Sequence, residues 1–585
     1  MPDTKTTPDR VANIATVVPN VSGLDKSFDY LIPDDLSARV RVGTIVRVEL
    51  QGRRIGGWVR AISDTTSDGR PPDSLKPIAK VTGHGPAAEL FALADWASVR
   101  WAARRIRPFL VAASPDRAIA TLPLDKRTAP SPAPSSPATR DLLAAGGGVL
   151  RLPPRADVMP SLFSAIALGP ALVVAPDHRA VALMATRLRR AGVSVAVMPY
   201  DWATAAGGVD VVIGPRSAAW APCPNLAVAV VLDEHDEGLQ EERSPTWHAR
   251  DVVVERCRRA DAPFVLISPA PTLVAVEEDA GPGGVVHPPA SRERLGWPEV
   301  VVVDRTDEDP WKRSLLTSPL IERLRDPALT VVCVSNITGR ARVLACRSCK
   351  ALVRCEQCDA AVGLDDDGRL QCRRCGAERP PVCQECGASK FANLRPGVTR
   401  LREELEAAAT RPVVAVTGAD DDAPTASGVY VGTEAVLHRI GAADVVAFLE
   451  FDSEMLAPRF RAAEQAMALL IRAGRLAPEV LVQTFVPDHD VVVAAVAGDP
   501  ARLLDGERVR REMLGLPPYG ALAVVSGTGA DEYAAALPAT VQSGADGAGR
   551  HLVRADDWTT LGRALNQTPR PHAARLRIEV DPARV

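Results

Sequence analysis

The stretch LAVAVVLDEHD, from Leu226 to Asp236, runs through seven apolar residues without alternation and stops on four ionisable ones. An unalternating apolar run of this length is typical of a strand that is buried on both faces, as in a parallel sheet covered by helices. Four similar runs surround it, and helical stretches such as HRAVALMATRLRRAG separate them: ALVVAPD, VSVAVMPY, VDVVIGP and PFVLISPAP. The pattern predicts an α/β layer built on a parallel sheet.

A second set of such runs follows residue 326: LTVVCVSN, RPVVAVTG, SGVYVGTE and DVVAFLEFD. Two α/β lobes in tandem are therefore predicted. Before them, RVGTIVRVEL and RIGGWVRAI have the composition of a small β module, and TLPLDKRTAPSPAPSSPATR is too rich in Pro, Ser and Ala to bury much area. The predicted division is an N-terminal β module with a helical extension at 1–120, a linker at 121–140, lobe one at 141–317, lobe two at 318–486 and a small C-terminal α+β domain at 487–585.

Composition excludes two broad classes of protein. The chain has 585 residues and a formal net charge of −3, which is incompatible with a uniformly basic nucleic-acid coat, so any contact with DNA must be regional. No run approaches the ~18 uninterrupted apolar residues that a membrane span needs. The polar N-terminus has no apolar segment behind it. We expect a soluble, cytoplasmic protein that is not associated with a membrane.

Eight of the eleven cysteines fall in four Cys-x-x-Cys pairs, a spacing that lets one tight turn present two thiolates to one ion. Five residues separate the first two pairs and thirteen separate the second from the third, and a turn, DDDG, lies within the thirteen. A hairpin there would bring the second and third pairs together and leave the first to meet the fourth. The predicted cofactor is two Zn²⁺ per chain, in nested sets: Cys346, Cys349, Cys383 and Cys386 for the first ion, and Cys355, Cys358, Cys372 and Cys375 for the second. A disulfide framework is the alternative.

The order of these features resembles the PriA-type replication-restart proteins (primosomal protein N′). Short motifs carry the resemblance from about Val11 to Tyr519. They are SFDYLIP, IGPRSAAWAPCPNL, ARDVVVERC, LTSPLIERLR, the four cysteine pairs, APRFRAAEQ, RAGR, VQTFVPDHD and LGLPPYG. The resemblance implies two RecA-like helicase lobes with a double zinc ribbon inserted in lobe two. The family's winged-helix segment has no room near the linker.

The ATPase motifs of the family are degenerate in this chain. A phosphate loop needs a lysine for the β and γ phosphates, yet the matching place is GGGVLRLPPRADVMP and no lysine occurs between Lys126 and Lys312. The Asp-Glu-Glu-His box aligns so that its magnesium aspartate becomes Leu232, although Asp233 and Glu234 could serve if the alignment slides by one residue. The coupling motif is SPAP at 268–271, and the last motif has Ala468 for glutamine.

We therefore predict that no residue of the chain is catalytic, that ATP hydrolysis is lost, and that ATP binding is doubtful. The remnants that could still meet a nucleotide are Asp233, Glu234, Arg472 and Arg475. Two simpler interpretations remain: the acidic box is a solvated strand end, and the arginines lie on the surface at a helix end.

The resemblance also implies a pocket for the 3′-terminal nucleotide of a DNA strand, formed by Phe28, Asp29, Tyr30 and Gly43. An aromatic face can stack on any base and a carboxylate can accept from a 3′ hydroxyl. Phosphate contacts would come from Arg47, Arg53, Arg54 and Arg60. The rival interpretation makes Phe28 and Tyr30 core residues of a β-barrel, with Asp29 as the discriminating position.

Three functions follow from these observations. The first is a non-catalytic restart factor that binds branched or forked DNA and single-stranded DNA and promotes primosome assembly. The resemblance gives it primosome proteins, the replicative helicase or its loader and the single-strand-binding protein as partners. The second is an active ATP-dependent 3′ to 5′ DNA helicase with a non-standard nucleotide site. The third is a zinc-ribbon nucleic-acid-binding protein of repair or transcription.

Overall fold

The computed structural model describes most of the chain. The described residues are 13–24, 26–128, 134–306, 314–335, 344–349, 353, 356, 362–364, 368–372, 377–393, 398–416, 428–457, 459–546, 549–572 and 574–584. Within these ranges, no helix combines the length and the apolar character needed to cross a membrane.

An antiparallel sheet of five strands forms the N-terminal module, and two helices follow it. Its elements are β1 (Ile14–Pro19), β2 (Phe28–Leu31), β3 (Ile45–Leu50), β4 (Arg53–Ser63), β5 (Lys80–Gly83), α1 (Ala88–Arg100) and α2 (Arg107–Ala113). The strand order is β2-β1-β4-β3-β5, and a bridge between Leu31 and Pro77 connects the two edges. The predicted β module is confirmed. Its helical extension is broken at residues 101–106 instead of continuing as one helix.

Lobe one is a parallel sheet of seven strands in the order β12-β6-β11-β10-β7-β9-β8. Its elements are α3 (Pro137–Ala144), β6 (Gly148–Arg151), α4 (Met159–Ile166), β7 (Ala171–Val174), α5 (His178–Arg190), β8 (Val195–Val197), α6 (Trp202–Gly207), β9 (Val211–Gly214), β10 (Val228–Leu232), α7 (Ala249–Ala260), β11 (Phe264–Ser268), α8 (Leu273–Glu277), β12 (Val285–Val286) and α9 (Ala290–Leu295). All five residues of β10 are buried, as its unalternating sequence predicts.

Lobe two is a second parallel sheet, in the order β13-β23-β22-β14-β21-β20. Its elements, with the cysteine-rich insertion β15 to β19, are β13 (Glu299–Asp304), α10 (Ser318–Arg325), β14 (Val331–Val334), β15 (Leu344–Cys346), β16 (Val362–Leu364), β17 (Leu370–Cys372), β18 (Glu378–Arg379), β19 (Phe391–Asn393), α11 (Val398–Ala409), β20 (Val413–Val416), β21 (Val429–Gly432), α12 (Val436–Arg439), β22 (Val445–Phe448), α13 (Asp452–Met455), α14 (Ala462–Leu476), β23 (Glu479–Thr484), α15 (Asp490–Ala497) and α16 (Ala501–Leu514). The predicted pair of α/β lobes is confirmed.

An antiparallel sheet, β25-β26-β24-β27, forms the C-terminal domain. Its elements are β24 (Ala521–Thr528), α17 (Ala530–Ala535), β25 (Gln542–Ala545), β26 (Arg550–Ala555), α18 (Trp558–Gln567) and β27 (Arg575–Val580). This sheet shares one hydrophobic core with the N-terminal module and lobe one, through residues such as Trp101, Phe109, Trp220 and Tyr533.

Three predicted boundaries differ from the structure because non-local contacts decide them. β13 lies before residue 317 yet pairs with β23, so lobe two begins near 299. α15 and α16 follow residue 487 but pack on lobe two, where Val491 and Leu503 join its core. In the predicted linker, the Lys126 amide donates to the Gly208 carbonyl of lobe one (3.0 Å), and α3 begins at Pro137.

Candidate functional site

Four cysteines of the insertion in lobe two converge on one point. Cys346 ends β15, Cys349 follows in the next turn, and Cys383 and Cys386 lie before β19, the antiparallel partner of β15. The sulfur of Cys346 is 3.5 Å from that of Cys386, and the sulfur of Cys349 is 3.6 Å from that of Cys383. All four sulfurs lie within 4.8 Å of one another. The Cys349 amide donates towards the Cys346 sulfur and lowers the pKa of that thiol to about 6.

This arrangement suits a tetrahedral metal ion, because four thiolates that face one another without a cation would repel. The first and fourth cysteine pairs meet, as the nested pairing predicts. For the second set, Cys355, Cys358 and Cys375 lie outside the described residues, as does the side chain of Cys372. The hairpin that should bring them together is present, since β16 pairs with β17 and Gly368 between them has φ of +77°. Zinc as the metal, and the second site, stay predictions.

The predicted DNA-end residues lie on β2 and just before β3. Phe28 is half-buried, whereas Tyr30 is buried in the core of the module and its hydroxyl donates to the Glu49 carbonyl (3.2 Å). Asp29 is only 7% exposed. Its carboxylate accepts from Thr16 Oγ1 (2.8 Å), the Ser67 amide (2.6 Å) and Ser67 Oγ (2.7 Å).

These contacts change the argument about Asp29. Hydrogen bonds from Ser67 and Thr16 outweigh burial, which by itself raises the pKa, so the pKa of this carboxyl is lowered. Asp29 therefore does not discriminate between a DNA pocket and a core role, because within the module it fixes the loop that carries Ser67. Gly43 also has a structural role: its φ is +93°, and a Cβ there would lie 1.9 Å from the Pro86 carbonyl oxygen.

Basic residues lie on the outward face of the N-terminal sheet. The buried residues Val46 and Val48 alternate along β3 with the exposed Arg47 and Glu49, and Lys80 of β5 stands directly beside Arg47. Arg53 and Arg54 are exposed at the start of β4, whereas Arg60 is paired with Asp95 (2.7 Å). The surface available to phosphates therefore includes Lys80 in place of Arg60.

The loop in the position of a phosphate loop connects β6 to α4. The three glycines at 146–148 precede this loop, and the loop itself, LPPRADV, has neither glycine nor lysine. Pro153 packs against Gly296, where an added Cβ would lie 2.4 Å from the proline ring. At the start of α4, Asp157 accepts from the Met159 amide (3.1 Å) and binds Arg187 (2.8 Å). A carboxylate of the chain thus occupies the helix end where a phosphate would otherwise be bound.

The acidic box faces lobe two. Arg475 of α14 makes a two-pronged ion pair with Asp233, one contact of which is 2.7 Å, and Arg472 is paired with Asp236. Burial raises the pKa of Asp233, but the charge and hydrogen bonds of Arg475, together with the charges of His235 and Arg472, lower it overall. The interpretation of the box as a solvated strand end is wrong, and the two arginines near the end of α14 are partly exposed but paired with it. The structure brings together three of the four predicted nucleotide remnants.

The carboxylate of Glu234, the fourth remnant, is bound within lobe one. It is 1% exposed and accepts from the amide (2.7 Å) and hydroxyl (3.1 Å) of Thr272, the N-cap of α8. Burial raises its pKa to about 7. Beside it, His235 Nδ1 is 2.8 Å from Ser268 Oγ, and burial lowers the pKa of this histidine to about 4. Glu234 is therefore a structural residue in this conformation.

Sequence reasoning missed a buried charge network around Arg250. This guanidinium contacts Asp251 (2.8 Å) and Asp279 (3.0 Å), and Glu234 lies 3.9 Å away. Asp251 also binds Arg100 of α1 (2.9 Å), whose guanidinium stacks on Trp558 of α18 at 3.7 Å. The network connects the N-terminal module, lobe one and the C-terminal domain. Its one sequence signal was the charged segment HARD at 248–251, at the start of α7, which gives no indication of distant partners.

A cleft of about 370 Å³ remains between the lobes beside Arg472. Its ionisable lining consists of five carboxylates, three guanidinium groups and one imidazole: Asp177, Asp236, Glu237, Glu434, Glu454, Arg459, Arg472, Arg584 and His438. Burial raises the pKa of Glu434. The excess of acidic groups makes this cleft a poor environment for the phosphates of a nucleotide.

Comparisons with known proteins agree with this architecture. The family model described as 3′DNA-binding domain (3′BD) matches residues 15–113, which are the N-terminal module. The chain is 29% identical to the replication restart protein PriA of Bacillus subtilis over 398 residues, covering 61% of this chain and 49% of that one. It is 31% identical to the replication restart protein PriA of Treponema pallidum, and the alignment covers 53% of this chain and 50% of that one. The chain thus spans about half the length of these relatives.

A probable replication restart protein PriA of Mycobacterium bovis is 27% identical, and the alignment covers 87% of this chain and 85% of that one. Among solved structures, the DUF1998 helicase MrfA bound to DNA matches with a TM-score of 0.35 and 11% identity, covering 79% of this chain and 69% of that one. A TM-score this low carries no functional comparison.

The two parallel-sheet lobes, the N-terminal module that matches the 3′BD model and the inserted four-cysteine cluster define a multidomain α/β protein. Within that class, the chain is similar to the PriA-type replication restart proteins.

Proposed function

We propose that this protein is a replication-restart factor that binds branched or forked DNA without hydrolysing ATP. One observation carries the proposal: the nucleotide position between the lobes is built from groups of the protein itself. The loop LPPRADV offers no lysine, Asp157 occupies the start of α4, and Arg475 binds Asp233. Phosphoryl transfer needs cations placed around the γ-phosphate, and here Arg187 and Arg475 are already paired with carboxylates of lobe one.

Binding of a DNA end is supported by the 3′BD match and by the outward basic face of that module. Arg47, Lys80, Arg53 and Arg54 would contact phosphates, which position DNA without selecting sequence. Phe28, which is half-buried, is the aromatic residue available for stacking. Tyr30 and Gly43 would shape the pocket through the backbone, and Asp29 would have to exchange one of its internal hydrogen bonds for the 3′ hydroxyl.

The resemblance to PriA supplies the wider proposal. The protein would act in the cytoplasm at the nucleoid and promote primosome assembly by recruiting primosome proteins, the replicative helicase or its loader, and the single-strand-binding protein. Two zinc ions would hold the insertion in lobe two. The lobes would serve as a platform and not as a motor.

Two assays on the purified chain test this proposal. We expect binding to a forked DNA with a 3′ hydroxyl end and no DNA-stimulated ATP turnover above background. Turnover of roughly one per second or more with single-stranded DNA would favour the helicase hypothesis instead. A matched fork that ends in a 3′ phosphate tests the pocket, because its added charge and bulk should weaken binding. Equal affinity for both forks in the wild-type protein would remove the pocket from the proposal.

A further inference from the structure

α14 of lobe two contacts lobe one near both of its ends and through Arg472. Near its start, the Glu464 carboxylate accepts from the Leu273 amide of α8 (2.9 Å) and is also bound by Arg511 of α16 (2.8 Å). Near its end, the Gly474 carbonyl accepts from Arg155 Nε (2.9 Å), and Arg475 Nε donates to the Pro154 carbonyl (3.2 Å). The helix is therefore attached at both ends to the neighbouring lobe.

The segment after β27 adds a second connection at the start of the same helix. Arg461, the N-cap of α14, binds Asp581 (2.6 Å), and Gln465 Nε2 donates to the Ala583 carbonyl (2.9 Å). The Asp581 carbonyl in turn accepts from Gln240 of lobe one (2.6 Å). This segment therefore bridges lobe one and lobe two directly.

The central contacts are the ion pairs of Arg475 with Asp233 and of Arg472 with Asp236. Their side chains are 14–37% exposed, so water screens them less than it screens ion pairs on an open surface. An arginine that reaches across the cleft between two lobes ordinarily finds its anion on a bound nucleotide. Here the anions are covalently part of lobe one, at the end of β10. The attraction between the lobes does not require a ligand.

We propose that these carboxylates replace nucleotide phosphates as the bridge between the lobes, so that the lobes are closed permanently and do not respond to nucleotide. The prolines of the loop between β6 and α4 support this arrangement, since a rigid loop presents the Pro154 carbonyl to Arg475 at low entropic cost. The inference goes beyond restart activity. It concerns the mechanics of the lobes and holds whichever DNA the protein binds.

Distance measurements by pulsed electron paramagnetic resonance test this directly. Spin labels are attached through non-natural amino acids at Leu183 of lobe one and Val414 of lobe two, which are 56% and 48% exposed, so the cysteines remain untouched. We expect one narrow distance distribution in the full chain, identical with and without ATP. Asp233→Asn and Arg475→Gln should each broaden the distribution and add longer distances. The double variant should broaden it no further, because both changes remove the same interaction.

Controls separate loss of closure from loss of folding. Asparagine tolerates the positive φ (+53°) of residue 233, so Asp233→Asn preserves the local backbone. Arg187→Gln removes an ion pair of the same kind that lies entirely within lobe one and should leave the distribution unchanged. A broad wild-type distribution that ATP narrows would overturn the inference, and so would neutralised variants that retain the wild-type distribution. ATP hydrolysis and DNA affinity do not enter these outcomes, so failure of the proposed function is distinguished from failure of closure.

Discussion

Three hydrogen bonds hold the Asp29 carboxylate, and their donors are Thr16 Oγ1, Ser67 Oγ and the Ser67 amide. We predict that Asp29→Asn lowers the free energy of unfolding of the N-terminal module by about 1–3 kcal/mol, because the amide group cannot accept at both of its polar atoms. Urea denaturation measures the change. Asp64→Asn, an exposed position of the same loop, is the control. A loss below about 0.5 kcal/mol would mean that the carboxylate is free to serve DNA.

The buried His248 should make the free energy of unfolding depend on pH. Burial, and then the charge of Arg250, lower the pKa of this histidine to about 3, whereas in the unfolded chain it is about 6.5. The folded protein therefore holds His248 neutral, and this contribution to stability is complete above pH 6.5 and is lost as pH falls towards 3. Between pH 7 and pH 5 the loss amounts to roughly 2 kcal/mol.

His248→Asn should remove that loss and keep the helix cap, since His248 Nδ1 accepts from the Arg250 amide (3.2 Å) and asparagine is a good N-cap. The measurement is the difference in unfolding free energy between pH 7 and pH 5, for wild type and variant. The exposed His178→Asn is the control. An equal difference in wild type and His248→Asn would show that the histidine does not contribute to acid sensitivity.

The strands of the insertion in lobe two are short, so we expect a bound metal to stabilise the insertion more than its small core does. β15 and β19 pair over three residues only. We predict that Cys386→Ser and Cys355→Ala each remove about one zinc from a chain that holds two, while the lobes stay folded. Native mass spectrometry counts the metal. Cys223→Ala should retain both ions, because Cys223 is buried in the core shared by three domains and lies outside the cluster. Loss of both ions from one single variant would contradict independent sites.

Local patterns predicted these elements well, and non-local contacts explain what the sequence did not reveal. The two-residue spacers and the loop lengths predicted that Cys346 meets Cys386, because both constraints act over a few residues. Nothing near Arg475 in the chain indicates Asp233, which lies 242 positions away. β13 was assigned to the wrong lobe for the same reason: a buried parallel strand has the same composition in either sheet.

At the scale of the whole molecule, the N-terminal module, lobe one and the C-terminal domain share one core. Phe109 of α2 is fully buried and stacks on Trp220 of lobe one, with ring centroids 5.1 Å apart. We predict that Phe109→Ala lowers the free energy of unfolding by about 3–5 kcal/mol, because it leaves a cavity in this core. Hydrogen exchange should become faster on both sides of this contact, in α2 and around Trp220. Val111→Ala, at an exposed position of the same helix, should have little effect. Faster exchange confined to α2 would contradict a shared core.

The predicted fold class at this scale is confirmed, but the sequence suggested separate units. The predicted division only placed a linker rich in Pro, Ser and Ala after the N-terminal module. The structure fixes this module through Arg100, which binds Asp251 of lobe one and stacks on Trp558 of the C-terminal domain. Arginine on a helix is usually assigned to a solvated face, so a buried pairing of this kind has no local signature.

Four of the nine tryptophans, Trp96, Trp101, Trp220 and Trp247, form with Phe109 a continuous series of rings whose neighbouring centroids are 5.1–6.5 Å apart. Indole chromophores at such separations exchange excitation energy and couple their electronic transitions. The near-ultraviolet circular dichroism and the emission spectrum of the protein should therefore be dominated by this junction. The molecule thus carries an intrinsic optical reporter at the contact between its N-terminal module and its first lobe.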